Sequence, residues 1–321
     1  SPESEDLSLA AHPEPLAEGG FVLRRSLILV VALAALSIAL VAAQSSSARS
    51  AAFPITIHAA NGDVVIRARP TRIVSLSPTA TEDLYAAGAG SQVIAVDDQS
   101  DYPKRAPRTK LSGFTPNVEA IASYNPDLVI ISNDGGLVAS LQKLGITVLL
   151  EPAADNVAQA YDEIRQIGRA TGHEPATTKL VRSMQRSLTS LIRSVPKKSR
   201  HLKVYHELDP TYYSVTSATF IGRIYRLFGF RNVADAADST HSGYPQLSAE
   251  YILAANPDIV VLADSVCCGQ SLGTLSERPG WSGIAAVRKR RVVAIEDSVA
   301  SRWGPRIVAL ARAVAAVAKR S

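Results

Sequence analysis

The segment Val118–Ser132 reads VEAIASYNPDLVIIS, and Ala249–Ala263 reads AEYILAANPDIVVLA. The two match almost position for position. Each reads as a short helix with a glutamate in its first turn, then an Asn-Pro-Asp turn, then an apolar run of strand length. One α/β unit therefore occurs twice. Between the copies lies EPATTKLVRSMQRSLTSLIRSV, Glu174–Val195, in which Leu180, Met184, Leu188, Leu191, Ile192 and Val195 recur at spacings of three and four. That spacing predicts a half-buried helix over Pro175–Val195, with the proline in its first turn. Two α/β lobes joined by one long helix is the expected architecture.

Outward from this frame, strand and helix alternate in both halves. Ala51–Arg69 predicts two short strands about an Asn61-Gly62 turn. Arg72–Leu76 predicts a strand, and Ser77-Pro78-Thr79 opens a helix that runs to Ala87 and stops at Gly88. Gln92–Val96 and Thr147–Leu150 read as strands and Leu137–Leu144 as a helix, while Asp155 is placed to cap a helix reaching about Ala170. In the second half, strands are expected at His201–Leu208 and Arg291–Ile295, and helices at Phe220–Phe228 and from Pro305 onward. Such alternation implies mostly parallel sheets covered by helices on both faces.

Composition bounds the function. A chain of 321 residues, 46% hydrophobic and 20% charged, suits two globular cores. Its net charge of +5 is spread over short groups at Lys104–Lys110, Lys197–Lys203 and Arg288–Arg291. A nucleic-acid partner would call for a basic stripe with interleaved aromatics, so none is expected. Arg24-Arg25 precedes the uncharged apolar run Ser26–Ala43 and then QSSSARS, the pattern of an export signal cleaved near Ala43. If retained, the same run forms a membrane anchor with the arginines inside. No cysteine follows it, so no lipid is expected there. The expected organisation is an acidic tail over 1–23, with translation starting nearer Phe21, and a signal or anchor with its linker over 24–50. A first lobe over 51–174, the interlobe helix over 175–195 and a second lobe over 196–321 follow. Everything after about Ser50 is expected to work outside the cytoplasm.

Taken together, IVSLSPTATEDLYAAG, SDYP, NVEAIASYNPDLVI, GYPQLSAEYILAANPDIVVL and WGPRIVALARAV are similar in order and spacing, over Arg69–Val317, to a known family. The chain resembles the extracytoplasmic solute-binding proteins of ABC importers for vitamin B12, ferric siderophores and haem, most of all the B12-binding members. The resemblance implies a class III periplasmic-binding-protein-like fold, an interlobe cleft that closes only slightly, and no catalytic residues. It also implies no resident cofactor or metal, a cobalt- or iron-containing chelate as ligand, a monomer, and permease subunits as partners. It further implies docking on the permease through Glu119 and Glu250, which occupy equivalent positions of the repeat. An acidic residue in a first helical turn also complements the helix dipole, and both roles are compatible.

Loops after the strands of open parallel sheets form ligand sites. The candidates are Ser77, Asp98, Tyr102 and Phe114 in the first lobe, and Glu207, Tyr212, Tyr213, Tyr244, Arg302 and Trp303 in the second. Aromatic rings suit a large planar chelate. In the resemblance, Tyr244 falls where B12 binders place an aromatic against the ligand, Arg302 aligns with a charged cleft position, and Phe114 stands one residue from its counterpart. Arg302 also suits the carboxylate or catecholate of a siderophore. A corrinoid is thus expected first, a ferric siderophore second and haem third. His58, His173, His201, His206 and His241 form no i, i+4 pair, so capture of a bare metal ion is not expected. His206 and Glu207, as strand neighbours, face opposite ways.

Cys267-Cys268 departs from the pattern of the B12 binders. Their Cα atoms stand about 3.8 Å apart, below the usual disulfide window of about 4.4–6.8 Å, so a vicinal disulfide would be strained. Their loop is expected at the cleft rim, as a shaped turn or a redox-sensitive ligand contact. The rival readings are an extracytoplasmic thiol oxidoreductase and a non-transport ligand sensor on the same fold. Cys-x-x-Cys, Gly-x-Ser-x-Gly, a phosphate loop and a dinucleotide fingerprint are all missing from the sequence.

Overall fold

The structure, a computed structural model, describes residues 53–320; the acidic tail and the expected signal or anchor segment lie outside the described residues. In chain order come β1 (Ile55–Ala59), β2 (Gly62–Ile66), β3 (Ile73–Leu76), α1 (Pro78–Ala87), β4 (Val93–Val96), α2 (Val118–Ala122), β5 (Leu128–Ile131), α3 (Leu137–Lys143), β6 (Thr147–Leu150), α4 (Val157–Thr171) and α5 (Glu174–Ser194). Then come β7 (Lys203–Glu207), α6 (Phe220–Leu227), β8 (Arg231–Asn232), α7 (Ala249–Ala255), β9 (Ile259–Leu262), α8 (Leu272–Glu277), α9 (Ala285–Arg288), β10 (Val292–Ala294), α10 (Asp297–Ser301) and α11 (Ile307–Ala318). Two four-stranded parallel sheets result, ordered β4-β3-β5-β6 before α5 and β10-β9-β7-β8 after it. The β1-β2 hairpin docks on the edge of the first sheet, where Asn61 Nδ2 donates to the Val148 carbonyl at 2.9 Å and Asn61 Oδ1 accepts from Leu150 N at 3.1 Å.

The repeat has a mechanical explanation. Each copy's asparagine turns the chain after its short helix in the left-handed region, Asn125 two residues past the Ser123 cap and Asn256 as the cap itself (φ 48° and 46°), a conformation asparagine tolerates. Each copy's aspartate then pins the strand next to its own. Asp127 accepts from Thr71 N at 2.7 Å and from Arg72 N at 3.0 Å, just before β3, and Asp258 accepts from Lys203 N at 3.0 Å at the start of β7. The strands that follow, β5 and β9, are internal to their sheets and buried at every residue.

The long helix starts one residue earlier than expected. Its buried face is Thr177, Val181, Met184 and Leu188, with Leu180, Leu191 and Ile192 at the flanks. That face packs into one core cluster with Tyr161 and Ile164 of α4 and Ile307, Leu310 and Val314 of α11, so the bridge is embedded between helices of both halves. The cap of α4 is Asn156 rather than Asp155, its side chain accepting from Ala158 N and Gln159 N. The stretch between β9 and β10, read as loop, contains α8 and α9, and α10 precedes a terminal helix that begins at Ile307 rather than Pro305. Helices of four to six residues are too short to show a period among Gly273, Pro279 and Gly280. Among the described residues no helix is long and apolar enough to cross a membrane.

Candidate functional site

The two lobes enclose a cleft of ≈ 290 Å³. The first lobe contributes Ala153, Ala154 and Asp155 from the loop after β6. The second contributes Ala218–Ile221 at the start of α6, His241–Tyr244, Ser301 and Trp303. Asp238 shapes the wall that carries His241 and Tyr244. Its carboxylate accepts from Ser242 N at 3.0 Å and Gly243 N at 2.7 Å, closing the loop into a turn. Gly243 sits there at φ +82°, a conformation that favours glycine, and a Cβ would stand a tight 3.0 Å from Thr219 Cγ2. Tyr244, 51% exposed, projects from this turn.

Behind the cleft lies a polar seam between the lobes. Glu82 of α1 is buried and receives two arginines from the loop joining α10 to α11. Arg302 Nη1 donates to its Oε1 at 2.8 Å, and Arg306 donates through Nη2 to Oε1 at 2.6 Å and through Nε to Oε2 at 2.9 Å. Arg302 Nη2 also forms an ion pair with Asp101 Oδ1 at 2.7 Å and donates to the Gln99 carbonyl at 2.9 Å. Beside this pairing, Trp303 Nε1 donates to Glu163 Oε2 of α4 at 2.8 Å. Three further carboxyls there resist ionisation. Burial, followed by the carboxylates of Glu163, Glu82 and Glu151, holds Asp83 well above its usual range. Burial, followed by Glu163, pushes Glu151 up to about 9. Burial pushes Glu163 up to about 7 against the opposing Trp303 hydrogen bond.

Of the ten residues expected in the cleft, Tyr244 and Trp303 line this cavity. Tyr102 lines a neighbouring cavity of ≈ 300 Å³ with Tyr85, Arg105 and Pro305, and Arg306 lies 4.2 Å over its ring. Phe114, 86% exposed, borders a third cavity of ≈ 210 Å³ with Gly135, Gly136 and Leu137. Tyr213 is exposed beside Gln246, and Asp98 is half-buried with its carbonyl taken by Arg108 Nη2 at 2.7 Å.

Four expectations are corrected. Ser77 is 1% exposed and its hydroxyl caps α1 by accepting from Ala80 N, so it is closed to a ligand. Glu207 is 0% exposed, gripped by Arg278 at 2.6 and 2.7 Å and by the Tyr205 hydroxyl at 3.0 Å. Tyr212 stacks on the buried Trp281 at 5.8 Å. The Arg302 fork is committed to the seam, which removes the bidentate ligand contact expected of it. His206, on the opposite face from Glu207 as expected, is buried against the Tyr225 hydroxyl at 2.6 Å and pushed down to about 3 by burial.

The profile of the periplasmic binding protein family matches residues 73–299. The chain belongs to that family. An ABC transporter substrate-binding lipoprotein of Bacillus subtilis, itself uncharacterized, is 34% identical over 267 residues, covering 80% of this chain and 82% of its own. A cobalamin-binding protein of Halobacterium salinarum is 31% identical over 272 residues, covering 81% of this chain and 73% of its own. A solved periplasmic solute-binding protein from Staphylococcus epidermidis, described as a possible iron-binding protein, superposes with a TM-score of 0.64 at 26% identity, covering 78% of this chain and 99% of its own. This periplasmic binding protein has the class III architecture of two α/β lobes about one helix, and the family places it outside the cytoplasm.

On its surface Glu119 and Glu250 are both exposed in the first turns of α2 and α7, whose ends are capped by Asn117 and Ser248. The backbone and the Ser248 hydroxyl hold the Glu250 carboxyl below its usual range. Sequence reasoning missed Asp155, Phe220 and His241 in the cleft and Glu82, Asp83, Glu163 and Arg306 in the seam. Of these, Arg306 stood within the quoted WGPRI motif and His241 three residues before Tyr244.

Proposed function

We propose that this periplasmic binding protein, working as a monomer, captures a corrinoid-type metal chelate in the interlobe cleft and delivers it to the permease of an ABC importer. The observation that carries the reading is the cleft itself, walled from both lobes, with Tyr244, Phe220 and Trp303 offering aromatic faces and Asp155 and His241 polar edges. At ≈ 290 Å³ it stands at the low end of small-molecule sites, so a macrocyclic chelate would be gripped at one edge and project toward solvent. A corrinoid is preferred over an anionic siderophore because Arg302 and Arg306 are already spent on Glu82. The cobalamin-binding relative supports the same order. Glu119 and Glu250 are the permease contacts, and the Arg24–Ala43 segment exports or anchors the chain.

The thiol oxidoreductase reading loses ground on chemistry. Cys267 and Cys268 are both free and exposed. The hydrogen bond that the Cys267 thiol donates to Cys268, followed by burial and Asp297, pushes that thiol up to about 12, the reverse of what a nucleophilic thiolate needs. Titrating the purified chain with cyanocobalamin, ferric siderophores and haem, read by tryptophan emission, tests the proposal. Saturable binding of cyanocobalamin without turnover is expected. Absence of binding to all three chelates would overturn it.

A further inference from the structure

Trp303 forms part of the cleft wall, yet its indole nitrogen is held from behind by one hydrogen bond, Nε1 to Glu163 Oε2 at 2.8 Å. Glu163 is 4% exposed, and its second oxygen has no partner. Asp83 Oδ1, in the same seam, is likewise unpartnered, and Gly304 packs so closely that a Cβ would stand 3.3 Å from it. Orphaned buried carboxyl oxygens are costly when ionised and tolerable when protonated. Among the described residues no cation answers them, because both nearby guanidiniums are directed to Glu82.

We propose that Glu163 is a positioning residue whose charge state sets how firmly Trp303 is held in the cleft wall, so that ligand affinity falls when the carboxyl is protonated. An indole N–H bonded to a carboxylate is roughly twice as strongly held as one bonded to a neutral acid. Burial pushes Glu163 up to about 7, which places the change between pH 6 and 8. The groups facing it are Asp83 and Glu82 of α1, Glu151 after β6, Asp155 of the following loop, and Asp162 with Arg165 on its own helix. From the second lobe, Arg302 and Arg306 enter the seam but pair with Glu82, and the group in contact with Glu163 is the Trp303 indole. The long helix turns Thr177, Val181, Met184 and Leu188 inward, none of them titratable, and His58 of β1 pairs with Asp63 at the surface.

The affinity arm of the test rests on the chelate reading and the fluorescence arm does not, so the two can fail separately. In the ligand-free full chain, Trp303 emission, taken as wild type minus Trp303→Phe, is expected to show a pH transition centred near 7. Glu163→Gln keeps an acceptor oxygen for the indole and carries no titrating proton, so its profile is expected to be flat. Glu163→Leu removes the acceptor and should give the loosened signal at every pH. Cyanocobalamin should bind wild type roughly five- to tenfold more weakly at pH 6 than at pH 8, the difference between charge-assisted and neutral hydrogen bonds, and bind Glu163→Gln without that dependence. A flat wild-type emission profile, or a transition that survives in Glu163→Gln, would overturn the inference even if no chelate binds.

Discussion

Replacing Glu82 by alanine removes the anion that Arg302 and Arg306 share across the lobe seam. Three hydrogen bonds of 2.6 to 2.9 Å are lost, and two guanidiniums stay behind at side-chain exposures of 12% and 14%. Breaking a buried pair from one side destabilises by about 3–5 kcal/mol, because the remaining charge is uncompensated. Here Asp101 still answers Arg302 at 2.7 Å and Glu296 answers Arg306 at 3.3 Å, which places the expected loss toward the lower end, about 3 kcal/mol. Glu82→Gln keeps the acceptor and loses the charge, so it should cost about half as much. Urea unfolding at pH 7 in low and high salt measures both. A pair this buried is poorly screened, so the difference from wild type should persist in high salt. A loss under about 1 kcal/mol for Glu82→Ala, or one abolished by salt, would show that the seam behaves as an exposed ion pair and refute the reasoning.

The seam also sets a pH dependence of stability. Folded Glu163 and Glu151 lie at about 7 and about 9 against an ordinary 4.5, so the native state holds protons that the unfolded chain releases. Their contribution is complete below 4.5 and falls by about 1.4 kcal/mol per pH unit for each group, until Glu163 ionises near 7 and Glu151 near 9. The urea midpoint should therefore drop between pH 5 and 9, and a rise across that window would contradict the assignment. Met184→Ala, in the core shared by the long helix with α4 and α11, should cost about 2–5 kcal/mol by the same assay; a change within about 0.5 kcal/mol would mean that the helix is not embedded. Reversal of both Glu119 and Glu250 to arginine should abolish transporter-dependent uptake with ligand affinity unchanged, and uptake at the wild-type rate would remove them from the docking surface.

How much was legible follows from the range of each interaction. The repeat, the long helix and the Asn-Pro-Asp turns are written in local spacing, and the structure returns them within a residue or two. The aspartates of those turns could be seen as turn formers but not as clamps, since Asp127 reaches back 56 residues to Thr71. Site residues were harder because both faces of a parallel sheet are buried, so strand alternation cannot say which side meets the cleft. Glu207 and Arg302 occupy loop-proximal positions typical of ligand contacts. Their partners, Arg278 at 71 residues and Glu82 at 220 residues, turn them into structural charges, and no single-chain pattern records a pairing at such separation. The spacing of the histidines does not mark His241, whose place is set by the Asp238 turn.

The seam changes what the long helix means for motion. A single embedded helix already limits hinge bending, since closure would have to disturb its packing with α4 and α11. Glu82 and Glu163 add a second tie, binding the loop at residues 302–306 of one lobe to α1 and α4 of the other, beside the cleft rather than along the bridge. Two ties resist rotation about either one, so the lobes are held near one separation and the cleft is largely preformed. The same restraint would hold Glu119 and Glu250 at a nearly constant distance. A permease reading those two carboxylates would then sense a rigid span, and ligand occupancy would have to be signalled by the cleft surface rather than by the spacing of Glu119 and Glu250.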